Sequence, residues 1–181
     1  RKTPQELEEL RDLGLGIVYL GVESGDAQVL KDIKKGVTPE RLIEAGRRIR
    51  SVGLKLSVTV LLGVGGRERS MDHARATGEL LTAMDPNYVG VLTLMLLPNT
   101  ELGQKAQEGR FELLTQTEFL MELRQMLHYT NMSRGLFFAN HASNYLPLKV
   151  RMPGEKEKAL ATIDEALQGA VRLKPEWLRA L

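Results

Sequence analysis

The sequence contains no cysteine, which excludes disulfides, thiolate metal sites and thiol catalysis within its 181 residues. It also lacks an excess of either charge. Lys and Arg number 25 against 23 Asp and Glu, and the basic residues are interspersed without the concentrated basic face that binding to a phosphate backbone usually needs. Nucleic acid is therefore not indicated as a partner. Long apolar runs are missing as well: 58–64 and 89–98 are far too short to span a bilayer and have the length of buried strands, so no membrane partner is expected. The chain opens at Arg1 with neither an initiating methionine nor an apolar signal region. The expectation is a cytoplasmic protein read from a point inside a longer one. With 43% hydrophobic and 27% charged residues, one globular domain is the default.

Local signals then give an alternating pattern. Thr3, Pro4 and Glu6 form an N-cap, a first-turn proline and a capping box, followed by Leu7, Leu10 and Leu13 at helical spacing. The run 15–22 (LGIVYLGV) reads as a strand buried on both faces. A short helical pattern closes at Gly36, and a second helix starts at Thr38 and Pro39, with Leu42, Ile43, Ile49 and Val52 inward and Arg41, Arg47, Arg48 and Arg50 on a solvated face. The stretch 54–62 predicts the next strand, 63–66 a glycine turn, 70–84 a helix, and 88–97 a third strand. Three strand and helix alternations with apolar strands predict right-handed βα units on a parallel sheet, with function at the strand C-termini. A capping box at Thr115 and Glu118 opens a covering helix with Leu120, Leu123 and Leu127, 136–139 reads as a short strand, and a final helix falls near 155–167.

Three places carry chemistry-bearing residues. Glu23 and Ser24 fall at the end of the first strand, where a carboxylate accepts a vicinal diol; the competing reading is an N-cap network around Ser24 or Asp26. The 63–66 turn lets backbone approach a ligand, or is a plain strand-to-helix turn; it lacks the Lys and Ser/Thr that close a phosphate loop. Asn140, His141, Ser143, Asn144 and Tyr145 form a polar cluster directly after a buried run, open to reading as substrate contacts or as a satisfied turn network. His73 reads as a surface or capping residue, and His128 as a helix-end cation.

The stretch GVESGDAQVLKDIKKGVTPERLIEAGRRIRSVGLKLSVTVLLGVGG and the later LMLLPNTEL resemble the radical S-adenosylmethionine superfamily, from its fourth strand through its sixth. Asn99 stands where that family usually has glycine, and Gly65-Gly66-Arg67 replaces a usual proline-glycine. The resemblance implies an α/β fold: the second half of a partial (β/α)6 TIM-like barrel with parallel strands, plus a C-terminal helical extension. Residues 1–114 would be the barrel half, and 115–181 the covering helices and polar segment. It implies that Glu23 holds the ribose of S-adenosylmethionine with Ser24 nearby, that Lys35 reaches the methionine carboxylate, and that Thr59 faces the ribose. Leu61, Gly63, Leu97 and Pro98 would flank the adenine.

The family's [4Fe–4S] cluster is held by a CxxxCxxC loop that this sequence lacks, so the resemblance implies a cluster held by a missing N-terminal part. It further implies an electron donor for the intact enzyme, reductive cleavage to a 5′-deoxyadenosyl radical, and a small-molecule or otherwise unknown substrate. The segment alone is expected to be inactive, and its open strand edge to favour self-association. Two other classes stay open: a non-radical nucleotide- or carbonyl-handling α/β enzyme, and a noncatalytic interaction module.

Overall fold

Thr3 and Thr115 each accept a hydrogen bond from the backbone N–H three residues on, while Glu6 and Glu118 reach back to the cap N–H. These reciprocal caps start α1 (Pro4–Asp12) and α6 (Gln116–Tyr129) at the positions the sequence predicts. The computed structural model describes residues 2–180. Between the two caps lie β1 (Ile17–Glu23), α2 (Ala27–Asp32), α3 (Pro39–Ser51), β2 (Lys55–Leu62), α4 (Gly66–Met84), β3 (Tyr88–Thr93) and α5 (Glu101–Gln107). After α6 come β4 (Gly135–Phe138), β5 (Lys149–Met152), α7 (Lys156–Leu167) and a 3-10 turn at Glu176–Leu178.

The strands form one open sheet in the order β1-β2-β3-β4-β5. The first three pairings are parallel, as βα units require, and the sheet is that of a partial barrel. The last pairing is antiparallel, which corrects the expectation of parallel strands followed only by helices. Four residues, KVRM, are too short to show their alternation against the surrounding loop, and β5 was not legible for that reason.

Burial alternates along β2 and β3, and β1 is mostly half-buried, instead of being covered on both faces. Leu56, Val58, Val60, Leu62, Val89, Val91 and Phe137 are buried, while Ser57, Thr59, Leu61, Gly90 and Leu92 between them are only half-buried. The expectation of strands buried on both faces is thus corrected: α3, α4 and α6 cover one face, and the other is open among the described residues. Tyr19, on that open face, is 74% exposed. Two smaller differences concern element ends. Gly66 is already the first residue of α4, and the third strand stops at Thr93, with 94–97 outside regular structure.

Candidate functional site

Glu23 ends β1 with φ at +64°, in the left-handed region that non-glycine residues avoid. Its register partner is Val60, after a bulge that skips Val22, and the Ser24 N–H donates to Val22 O at 2.8 Å to close a tight turn around it. The bulge turns the side chain over the strand. A Cβ at Gly21 would lie 2.8 Å from Glu23 Oε1 and 3.4 Å from Lys35 Nζ, so glycine there is what lets the carboxylate lie across β1. Lys35 donates to Glu23 Oε1 at 3.1 Å, and both side chains keep over a quarter of their exposure. Thr59 is the register partner of Gly21 on the adjacent strand.

One residue beyond the Glu23–Val60 pair, Leu61 opens a cavity of about 350 Å³ lined also by Ile33, Val64, Leu94, Leu96 and Leu97. Lys34 bridges its rim to Glu101 at 2.6 Å. Leu61 and Leu97 are thus brought to one cavity, whereas Pro98 is exposed just outside its lining. Gly63 faces away from it: with φ at +81°, its Cβ position lies 2.4 Å from the Phe119 ring. A larger groove of about 760 Å³ runs along the outer edge of β1 against α1 and α3; apart from Gly21 and Lys35 it meets none of the residues above.

Ser24 is fully buried and belongs to a network beneath the strand tips. Its Oγ accepts from the Asp26 N–H at 2.9 Å and sits 2.8 Å from His73 Nδ1. Gly25 N–H donates to Thr77 Oγ1 at 2.8 Å, and Asp26 caps α2 while pairing with Arg69 at 2.7 Å. The N-cap reading of this turn holds for Asp26, with Ser24 in its network, while Glu23 lies outside that network and pairs with Lys35. His73 is not a surface residue. It is 0% exposed, because α6 packs over the face of α4 that carries it, and burial drives its imidazole pKa down to about 4.

Glu122, which the sequence reading missed, lies opposite. Burial pushes its carboxyl up to about 7, against the pull of Ser70, whose hydroxyl donates at 2.5 Å, and of the Gly63 N–H, which donates at 2.6 Å. His73 Nε2 lies 3.6 Å from Glu122 Oε1 and has no hydrogen-bond partner. The available signal was an acid on the apolar stripe of Phe119, Leu123 and Met126.

The polar cluster after β4 divides. Asn144 accepts from Thr93 Oγ1 at 2.6 Å and donates to Val91 O at 2.7 Å, and Ser143 Oγ accepts from the Thr93 N–H at 3.0 Å. Both are buried and fasten the β4–β5 connection to the end of β3. His141 is half-buried; its Nδ1 accepts from the Ser143 N–H at 3.2 Å and lies 2.9 Å from Ser143 Oγ, which leaves Nε2 to carry the proton. Asn140 is exposed. Arg179, also missed, is buried over this connection, donating to Ser143 O at 2.7 Å and to the Tyr145 hydroxyl at 2.6 Å. Burial, aided by Glu176, pushes that hydroxyl up to about 12.

Comparison with known proteins bears on this arrangement. Residues 1–81 match the family model described as the Radical SAM superfamily. A tRNA uridine(34) acetyltransferase of Methanocaldococcus infernus is 30% identical over 112 residues, covering 61% of this chain and 21% of that protein. A Methanocaldococcus jannaschii protein provisionally named a methylthiotransferase is 29% identical over 96 residues, or 53% of this chain and 21% of its own length. The chain therefore spans about a fifth of the length of the curated relatives it matches. The solved structure of archaeal M. infernus Elp3 with an N-terminal deletion (1–46) superposes with a TM-score of 0.60 at 19% identity, covering 94% of this chain and 40% of that one. The residues that match the Radical SAM superfamily model carry β1, its Glu23 tip and β2, and the fold is similar to that of Elp3 over nearly the whole chain.

Proposed function

We propose that this chain supplies the S-adenosylmethionine-binding rim of a radical SAM enzyme. The observation that carries the reading is the Glu23 carboxylate, laid across the open face at a strained strand tip with the Lys35 ammonium beside it. An acid in that position accepts the ribose diol, a lysine engaged only through Oε1 is available for the methionine carboxylate, and Thr59 lies one strand over. The apolar cavity at Leu61 and Leu97 suits adenine. His141, with its Nε2–H directed away from Ser143, and the exposed Asn140 are the substrate-side groups of this reading; Ser143 and Asn144 position them.

The residues of this chain do not fit a cluster-binding role: it has no cysteine, and no group of three metal-binding side chains occurs among the described residues. A [4Fe–4S] cluster held by cysteines outside this sequence would supply the electron for S-adenosylmethionine cleavage. The name of the acetyltransferase relative points to a tRNA nucleotide as the substrate class. That does not fit the expectation that nucleic acid is not indicated. Balanced charge argues only against a nonspecific phosphate-binding face on this segment, and a chain spanning a fifth of its relatives leaves room for such a face elsewhere.

Isothermal calorimetry with S-adenosylmethionine and with its 2′,3′-dideoxy analogue, which differs only in the ribose hydroxyls, tests the reading. Binding of the first and not the second, with loss of at least about tenfold in Glu23→Gln, is expected for a carboxylate that takes the diol. Equal affinity for the two ligands, or an unaffected variant, would sink it.

A further inference from the structure

Beneath the tips of β1 and β2 runs a polar chain none of whose side chains lines the cavity. On the β1 side, Ser24 and Gly25 are fastened to His73 and Thr77 of α4. On the β2 side, the Gly63 N–H is fastened to Glu122 of α6, and Ser70 of α4 holds the other carboxylate oxygen. The two halves face each other across one gap, the 3.6 Å from His73 Nε2 to Glu122 Oε1. His73, Glu122 and Ser24 all have 0% exposure.

A neutral imidazole with an unpartnered nitrogen and a buried carboxyl are a poor way to fill a core, since apolar side chains of similar volume would serve stability as well or better. What they do that leucines cannot is fix directions. Glu122 takes the backbone N–H of the residue just past Leu62, and His73 takes the side chain next to Glu23. We propose that His73 and Glu122 are positioning residues that hold the Glu23 tip of β1 and the Gly63 tip of β2 at one spacing, and through it tune the ligand affinity of the rim. The proposal rests on the reading that this rim binds S-adenosylmethionine.

The groups facing the pair are few. Asp26, from the turn after β1, acts on His73 through space and is matched by Arg69 of α4; Ser70 and Thr77 of α4 are neutral; β2 offers the Gly63 N–H and the Leu61 carbonyl; Glu122 is the contribution of α6. Proton exchange at Glu122 is therefore sensed at both tips through two direct hydrogen bonds and the short gap.

The test uses the 181-residue chain with Glu122→Gln and Glu122→Ala, two ligand-independent measurements and one of affinity. In the unsubstituted chain, the amide NMR shifts of Ser24, Gly25 and Gly63 should titrate with one common midpoint near neutral pH, and Glu122→Gln should abolish the titration at both tips together. Glu122→Ala should weaken S-adenosylmethionine binding about tenfold, and Glu122→Gln, which keeps an acceptor for the Gly63 N–H, should recover most of that loss. A purely structural pair would lower Tm in both variants without moving affinity, and that outcome overturns the proposal. So does a Gly63 titration that Ser24 and Gly25 ignore. Absence of S-adenosylmethionine binding to the unsubstituted chain would sink the functional reading instead, while the common midpoint would still decide whether the tips are coupled.

Discussion

The rim of β1 and β2 and the rim of β3 and β4 are both tied down by buried polar side chains, to opposite effect. At the first, the network lies below the backbone and holds Ser24, Gly25 and Gly63 from inside, leaving the Glu23 carboxylate over the open face. At the second, Ser143 and Asn144, the side chains that looked available for a ligand, are themselves the fastening, and Arg179 closes over them. A polar residue after a strand is therefore a site only where something else does the fastening. The first network also contains ionisable groups and an unpartnered nitrogen, whereas the second is neutral at Asn144, Ser143 and Thr93 and is satisfied there.

The comparison breaks most severely at Gly25. A Cβ there would stand 2.3 Å from Ala76 O and 2.7 Å from Thr77 Cα, both backbone atoms of α4 that no rotamer change can clear. Gly25→Ala should cost about 4 kcal/mol or more in urea unfolding, by forcing the β1 tip off the helix. A loss under about 1 kcal/mol would mean that this tip is not pinned as described.

The next effect is a matter of pH. In the native chain Glu122 has its pKa raised from 4.5 to about 7, so it destabilises the fold progressively as pH rises through that window. His73 has its pKa lowered from 6.5 to about 4, so its contribution runs the other way, with stability lost as pH falls from 6.5 toward 4. Between about 4.5 and 6.5 the native pair holds one proton on Glu122 and the unfolded pair one on His73, and the two slopes cancel. Glu122→Gln removes one side of the cancellation. Its stability should fall by about 3 kcal/mol relative to its own value at pH 7 as pH drops to 4, a slope this pair does not produce in the unsubstituted chain. Parallel pH curves for the two proteins would refute the pairing.

At the second rim, Asn144→Ala leaves the Val91 carbonyl and the Thr93 hydroxyl without their partner, and should cost about 2 kcal/mol. Affinity for S-adenosylmethionine should not follow, because neither residue touches the Glu23 side. A variant that loses both would show the two rims to be one unit.

Much of the fold could be read beforehand because its signals are local. The capping boxes at Thr3 and Thr115, the prolines at 4 and 39 and the apolar strands each act within a few residues. The position of Glu23 at the strand end could be read for a similar reason: the apolar run before it and the turn after it are its neighbours in sequence. His73 and Glu122 could not, since each becomes buried only when α4 and α6, 30 residues and more apart in the chain, are packed together. The fate of Ser143 and Asn144 likewise depended on Thr93, across a gap of 50 and 51 residues. What sequence leaves dark here is which polar groups find each other over such distances.

The smallest effect tests the site most directly. Glu23 spends conformational energy at φ +64° and gains a partly exposed ion pair with Lys35, worth at most about 1 kcal/mol. Replacing it by glycine removes the left-handed penalty of about 1 kcal/mol together with the pair, so Glu23→Gly should leave Tm within a few degrees of the unsubstituted chain or slightly above it. Glu23→Gln keeps the penalty and loses the charge, and should fall slightly below. If Glu23→Gly instead destabilised the chain by several kcal/mol, the carboxylate would be holding the fold like Asn144 does at the other rim, and the distinction between a fastened tip and a free one would collapse. A stable Glu23→Gly chain that no longer distinguishes S-adenosylmethionine from its dideoxy analogue would place the strain of β1 in the service of the ligand.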